Sequence, residues 1–409
     1  MLPTGKLLIL TALLTVLGLP LSCSGQTDQK TDAAASSESI RTGAEQMHLY
    51  LPELLGKRVG MIVNHTSVIG KTHLVDTLLS KGVKIKTIFA PEHGFRGQAT
   101  DGETIANGRD PRSGVPIISL YGANRKPTKA QLDSLDVLVF DIQDVGTRFY
   151  TYISTMHYAM EACAEYKKPF IVLDRPNPNG RYVDGPVLNP KFRSFVGMHP
   201  VPILHGLTVG ELARMINGEK WLEKPANTTT ELLCPLTVVP VKNYTHQLPY
   251  TLPVAPSPNL PNQQAILLYP TLCLFEGTIV SVGRGTDKQF QVIGGPDNPK
   301  FGSYQFTPVD KPGAMNPPQE GKVCYGLDLS GIDASRQGLS LKYLIDFYNK
   351  AVDKDKFFLA TNYIYKLYGN DQLPLQLKAG LNEAAIRKTW EPGLSEYKTK
   401  RKKYLIYPD

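Results

Sequence analysis

The chain has 409 residues, 42% of them hydrophobic, and 45 Lys and Arg against 37 Asp and Glu give a net charge of +8. This length predicts two domains rather than one, and the apolar content is ample for two cores, which excludes a globally disordered chain. The positive balance comes without interleaved aromatics or a recognisable nucleic-acid module, so no nucleic-acid partner is expected, and the basic run Lys398–Lys403 reads as a solvated end of the chain.

The N-terminus reads as a targeting segment. Lys6 precedes an apolar run, Leu7 to Leu19, that is too short for a comfortable membrane span. Leu21-Ser22-Cys23-Ser24 then resembles a bacterial lipoprotein cleavage site, which would place a lipid on Cys23. Pro20 departs from that pattern and leaves ordinary signal cleavage as the alternative. The expected organisation is a signal segment over 1–23, a flexible polar linker over 24–41, an α/β domain over 42–195 and a smaller mixed α+β domain over 196–409. Either form of cleavage places the mature protein outside the cytoplasm, in a periplasm, with lipid anchoring expected. Cys163, Cys234, Cys273 and Cys324 lack metal-ligand spacing and read as buried small hydrophobes, with room for one disulfide.

Val59 to Asn64 is an apolar strand followed by His65, Thr66 and Ser67. Helical spacing runs from Thr72 to Leu79 and stops at Gly82. The strand Val83 to Ala90 delivers Pro91-Glu92-His93-Gly94, and a long loop holding Arg96, Asp101, Glu103, Arg109 and Asp110 follows. Pro116–Tyr121 is a strand and Thr128–Leu135 a short helix. The strand Asp136–Asp141 runs into Gln143-Asp144, and a long helix spans Tyr150 to Tyr166. Phe170–Leu173 is a strand ending in Asp174-Arg175-Pro176-Asn177. Strands without interior charge, alternating with helices, predict a parallel sheet covered on both faces, with all strand carboxyl ends on one edge. Asn64 and His65, Glu92 and His93, Gln143 and Asp144, and Asp174, Arg175 and Asn177 would share that edge, where open α/β sheets bind ligands. No GxGxxG follows the first strand and no GxxxxGK[ST] occurs, so no nucleotide cofactor is expected.

Beyond about Val196 the character changes. Thr208 caps a helix to Asn217, with Glu211 completing a capping box, so Glu211 is read as structural. Leu232–Val241 reads as a strand, and Ile279–Thr286 as a strand ending in a glycine-rich turn that carries Arg284. Tyr325–Leu329 is a further strand, while Leu339–Ala351 and Leu373–Trp390 read as helices. His65, His93 and His205 could approach one another, but no HExxH or similar spacing supports a metal site, and none is expected.

Five stretches in order carry a resemblance: Pro91–Gly94; Phe140–Tyr152; Asp174–Pro178; Ser257–Pro261; and Phe275–Thr278 with Gly283–Thr286. The chain from about Met47 to its C-terminus is similar to the DUF1343 family, which includes exo-β-N-acetylmuramidases. The resemblance implies a Rossmann-like domain plus a smaller C-terminal domain, with the site in the cleft between them. It implies release of N-acetylmuramic acid from non-reducing ends of peptidoglycan fragments, with muropeptides or the MurNAc-GlcNAc disaccharide as partners. It favours Glu92 as the catalytic residue.

Glycoside cleavage needs an acid on the leaving oxygen and usually a second carboxylate. Glu92 is the expected general acid, its pKa raised by burial, and Asp144 the expected second carboxylate, with Asp141 and Glu276 as competitors. Arg96, Arg148 and Arg284 are candidate partners for the lactyl carboxylate. Tyr150 and Tyr152 are placed at the cleft edge for sugar stacking or core packing. The competing reading is a non-catalytic envelope lipoprotein that binds muropeptides in the same cleft. A serine esterase is disfavoured by the lack of a GxSxG elbow.

Overall fold

The computed structural model describes residues 39–95, 107–224, 229–296 and 298–409. The readings placed on the first 38 residues, Cys23 included, and on Arg96, Asp101 and Glu103 lie outside the described residues. After a 3₁₀ turn at Met47–Leu49 come a short helix α1 (Leu51–Leu54), the strand β1 (Arg58–Val63), and a small hairpin of β2 (Val68–Ile69) and β3 (Thr72–His73). Helix α2 (Leu74–Ser80) and strand β4 (Lys84–Ala90) follow, then β5 (Gly108–Arg109), β6 (Pro116–Ser119), α3 (Lys129–Asp133), β7 (Val137–Asp141), α4 (Tyr152–Glu165) and β8 (Phe170–Leu173). Next come α5 (Val209–Gly218) and β9 (Leu236–Val239).

These strands form one seven-stranded sheet in the order β5-β6-β4-β1-β7-β8-β9. All neighbours pair in parallel except β5, which runs antiparallel to β6 at the edge. The chain builds outward from β1 through β4 to β6, then returns to the other side of β1 with β7 and builds outward again. This reversal is the doubly wound arrangement, and its crevice lies at the carboxyl ends of β4, β1 and β7. The central strands β7 and β8 read as continuously apolar because both faces are covered, while β4 keeps Lys84 and Lys86 exposed in its first half. Leu138 and Phe140 of β7, with Phe170 and Val172 of β8, enter one core. Val139, Ile171 and Leu173 point to the other face, beside Leu54, Leu74 and Leu78. This alternation is the period-two geometry of a strand expressed in a two-sided sheet.

The change of character near residue 196 does not end the sheet. β9 adds to β8 in register from Phe170 opposite Leu236 to Leu173 opposite Val239, and α5 packs on both strands. The run 196–239 therefore belongs to the sheet's layer, against the predicted boundary. Its proline-rich entry reads as a new domain because a β-α-β crossover begins with a long irregular connection.

The C-terminal part contains α6 (Gln263–Leu272), a three-stranded antiparallel sheet of β10 (Val292–Pro296), β11 (Tyr304–Phe306) and β12 (Cys324–Asp328), and helices α7 (Lys342–Lys350), α8 (Tyr363–Tyr368), α9 (Gln372–Lys378) and α10 (Glu383–Arg401). Two readings change here. Helix α6 was hidden by Pro270; its missing N–H leaves the Ile266 carbonyl to accept instead from Asn179 Nδ2 at 3.5 Å. The segment 279–286 forms no strand. It makes a single bridge, Ser281 with Gly294, before Gly283 turns it at φ +78°. The four described cysteines are buried and unpaired, and no described helix is long and apolar enough to cross a membrane.

At the carboxyl edge of the sheet, Asp141 and Arg175 form a two-pronged ion pair, Nε to Oδ1 at 2.6 Å and Nη2 to Oδ2 at 2.9 Å, with both side chains sealed from solvent. Removing one partner leaves a buried charge uncompensated. Arg175→Met should therefore cost about 3–5 kcal/mol in chemical denaturation, and Asp141→Asn a comparable amount. A loss below about 1 kcal/mol, the size of an exposed pair, would show that the ion pair does not tie β7 to β8.

Candidate active site

One cavity stands at the crevice predicted by the strand order. It encloses about 740 Å³ including the part open to solvent. Its walls come from the turn after β4 (Glu92, His93), the entry to α4 (Phe149 to Tyr152), Phe195 and Val196, and the proline segment (Ser257, Asn259, Leu260). Tyr269, Cys273, Glu276, Arg284, Phe290, Tyr363 and Leu367 close it from the C-terminal part.

Glu92 is buried in this lining, and Thr151 Oγ1 donates to its Oε2 at 2.5 Å. Thr151 is also the N-cap of the 14-residue helix α4, so the carboxyl sits at the positive end of that helix. His93 beside it takes a left-handed backbone, φ +66°, followed by Gly94 at +77°. A non-glycine residue held there is strained, and such strain concentrates where a side chain must be aimed.

The aromatic wall is continuous. Tyr152 meets Tyr150 edge to face at 4.8 Å, Tyr150 meets Tyr269 at 5.8 Å, and Tyr269 meets Phe290 at 4.9 Å. Arg284 lies 5.3 Å over Phe290 and donates from Nε to Glu276 Oε1 at 2.7 Å. Both tyrosines predicted for stacking thus line the cavity, and Glu276 and Arg284 line it as a pair.

Asp144 is not in the lining. It is buried behind it, where Oδ1 accepts from Gly146 N at 2.7 Å and Oδ2 has no hydrogen-bond partner. Burial pushes its carboxyl up to about 7, against the opposing pull of the Gly146 and Val145 N–H groups. Its charge acts on the hydroxyls of Tyr150 and Tyr152, and Glu92 acts on Tyr152 as well.

The remaining predicted residues support the site rather than line it. Arg148 is fully buried; Nη1 donates to the carbonyls of Pro186 and Val201, and Nη2 to that of Leu367 at 2.9 Å. It cannot reach a substrate carboxylate. Asp141 and Arg175 are committed to each other. Asp174 accepts from Thr208 Oγ1, Gly210 N and Tyr407 O–H. Asn177 donates to Leu207 O and accepts from Asn179 N, filling the space where Gly146 has no Cβ; an added Cβ would stand 2.1 Å from Asn177 Oδ1. Gln143 donates to the carbonyls of Asp144 and Pro176, and Asn64 Oδ1 accepts from Thr66 N and Oγ1. His65 Nε2 contacts Ala255 O at 2.7 Å, and burial lowers its pKa. His205 accepts from Leu207 N in a buried position outside the lining. Among the described residues no three His, Cys, Asp or Glu side chains are grouped to hold a metal ion.

Sequence reasoning passed over Thr151, Tyr269 and Phe195. Thr151 stood inside the quoted Phe140–Tyr152 stretch and could have been found as the α4 cap. Tyr269 required the hidden helix α6.

Two measurements follow. Asp144 binds its proton more tightly folded than unfolded, so its contribution to stability is full below about pH 4 and lost as pH rises through about 7. Asp144→Asn, which keeps the acceptor for Gly146, should gain stability relative to the parent between pH 4 and 8, by up to about 4 kcal/mol. A flat difference across that range would mean the carboxyl is not desolvated. Gly146→Ala combines φ +77° with the Asn177 clash and should lower the melting temperature by several degrees, consistent with a cost of about 1–3 kcal/mol; an unchanged melting temperature would contradict this packing.

The sequence profile described as exo-β-N-acetylmuramidase NamZ, N-terminal, matches residues 59–264, and its C-terminal counterpart matches 267–407. The chain is 38% identical to the peptidoglycan β-N-acetylmuramidase NamZ of Bacillus subtilis strain 168, over 96% of this chain and 97% of that protein. A crystal structure of a DUF1343 family protein from Bacteroides fragilis superposes with a TM-score of 0.82 at 46% identity, covering 91% of this chain and 99% of that one. A second from the same organism gives 0.74 at 30% identity, covering 90% and 99%. By sequence over nearly its whole length, this chain belongs to the NamZ exo-β-N-acetylmuramidase family of glycoside hydrolases.

Proposed function

We propose that this chain is an exo-acting glycoside hydrolase that releases N-acetylmuramic acid from the non-reducing ends of peptidoglycan fragments, with Glu92 as general acid. The observation that carries the reading is the carboxyl of Glu92, buried in the cavity wall, held by Thr151 and set beside the strained His93, whereas the other lining carboxylate, Glu276, is paired with Arg284. General acid catalysis asks for a carboxyl fixed within reach of the leaving oxygen. The tyrosine and phenylalanine wall suits the apolar face of a sugar ring.

Asp144 is the second carboxyl in this proposal; it stands behind the lining and acts through space, by its charge, on Tyr150 and Tyr152, which do line the cavity. Glu276, paired with Arg284, orients the substrate. An exported location with a lipid on Cys23 belongs to the same proposal and rests on the sequence of the first 41 residues.

Glu92→Gln tests the assignment, because it preserves shape and removes the transferable proton. Turnover of a MurNAc-GlcNAc disaccharide should fall by about 10²–10⁴-fold with the melting temperature unchanged. Near-normal hydrolysis by the variant would remove Glu92 from the mechanism. Binding of the disaccharide by the parent without any hydrolysis would convert the reading to that of a muropeptide-binding protein.

A further inference from the structure

N-acetylmuramic acid differs from N-acetylglucosamine by a lactyl ether ending in a carboxylate, so selecting it calls for a cation near the cavity. Most arginines around the site are already occupied. Arg148 is spent on three carbonyls, Arg175 on Asp141, and Arg284 gives its Nε to Glu276. Lys126, at the start of α3's approach, is held by Glu161 and Glu165.

Arg125, its neighbour, is different. It is exposed, and among the described residues no carboxylate lies within ion-pair distance of it. Its Nε donates to Gly122 O at 3.1 Å, and its Cζ lies 4.4 Å over the ring of Phe195. Phe195 is itself a wall of the cavity, tilted against Tyr121 of the same wall at 6.0 Å and stacked with Tyr158 at 6.4 Å and 13°. Stacking fixes the plane of a guanidinium and leaves its terminal nitrogens for a planar anion.

We propose that Arg125, seated on Phe195, is a carboxylate-reading subsite at the rim of the cavity and sets the preference for N-acetylmuramic acid. This rests on the cavity being the muramic acid site. A carboxylate can reach the rim from two sources: the lactyl group itself or, in fragments that keep a stem peptide, the peptide. Arg125 is a positioning residue; it raises the population of correctly placed substrate and takes no part in bond cleavage.

Arg125→Ala and Arg125→Lys, in the full chain, are compared on three substrates: MurNAc-GlcNAc, its lactyl methyl ester, and the disaccharide bearing a stem tripeptide. Arg125→Ala should raise KM for the free acid roughly three- to tenfold with kcat within about twofold, leave the ester unchanged, and lose its effect at high salt. Arg125→Lys should recover part of the loss. A rise confined to the peptide-bearing substrate assigns the subsite to the peptide carboxylate. Equal changes for acid and ester, or none, overturn the proposal. Calorimetric binding of free N-acetylmuramic acid against its methyl ester reads the same preference without turnover, so a parent protein that hydrolyses nothing would refute the muramidase reading while the subsite is still decided.

Discussion

A doubly wound sheet brings every strand's carboxyl end to one edge, and that edge must satisfy its own polar groups before it can serve a ligand. The Asp141–Arg175 pair is the central solution here. It joins the ends of β7 and β8, whose next residues turn toward the cavity on one side and toward the C-terminal tail on the other. With both charges out of water, the pair stabilises one arrangement strongly only while both partners are present. The positions of Gln143, Asp144 and Pro176 follow from it, because Gln143 bridges the same two loops through the carbonyls of Asp144 and Pro176.

The same edge explains why the end of the chain is tied into the sheet. Asp174 is buried and its carboxyl is pushed up to about 6 by burial, yet it accepts from Thr208, Gly210 and the Tyr407 hydroxyl. Glu211, the capping-box residue of α5, accepts from the backbone of Ile406 and Tyr407 and faces His246 at 3.1 Å. Two buried carboxyls of the sheet layer are thus satisfied by the final residues. Such groups are costly when unpaired, so the tail acts as a latch on the sheet rather than as a loose end.

Much of this was legible in the sequence. The strands β1, β7 and β8 showed as apolar runs, and Glu211 was readable as a cap because its spacing from Thr208 has one geometric meaning. The convergence of Asn64, Glu92, Gln143, Asp174 and their neighbours on one edge was readable too. What was not legible is how that edge divides its side chains. Sequence places Arg148 and Glu92 alike in loops that follow strands, yet one is sealed among carbonyls and the other faces a cavity. That difference is decided by segments 38, 53 and 219 residues away, through Pro186, Val201 and Leu367 for Arg148, and no local pattern encodes it. Helix α6 was lost for a local reason, since Pro270 reads as a terminator unless the orphaned carbonyl has a known partner. The boundary near 196 was misplaced because chain composition changes at a crossover as well as at a domain edge.

The stretch Thr147–Tyr152 shows how frame and wall are combined in six residues. Arg148 fastens the carbonyl of Leu367 in α8, and Gly369, at φ +92°, leaves room for the guanidinium, since an added Cβ would stand 2.6 Å from Nη2. Leu367 and Tyr363 of that helix line the cavity beside Phe149, Tyr150, Thr151 and Tyr152. The buried arginine therefore sets the distance between the two sides of the cavity although it touches neither the interior nor a ligand. A residue carried by a motif next to catalytic candidates can owe its place to that spacing alone, and this is why its charge, desolvated and lowered in pKa, is spent on carbonyls instead of on substrate.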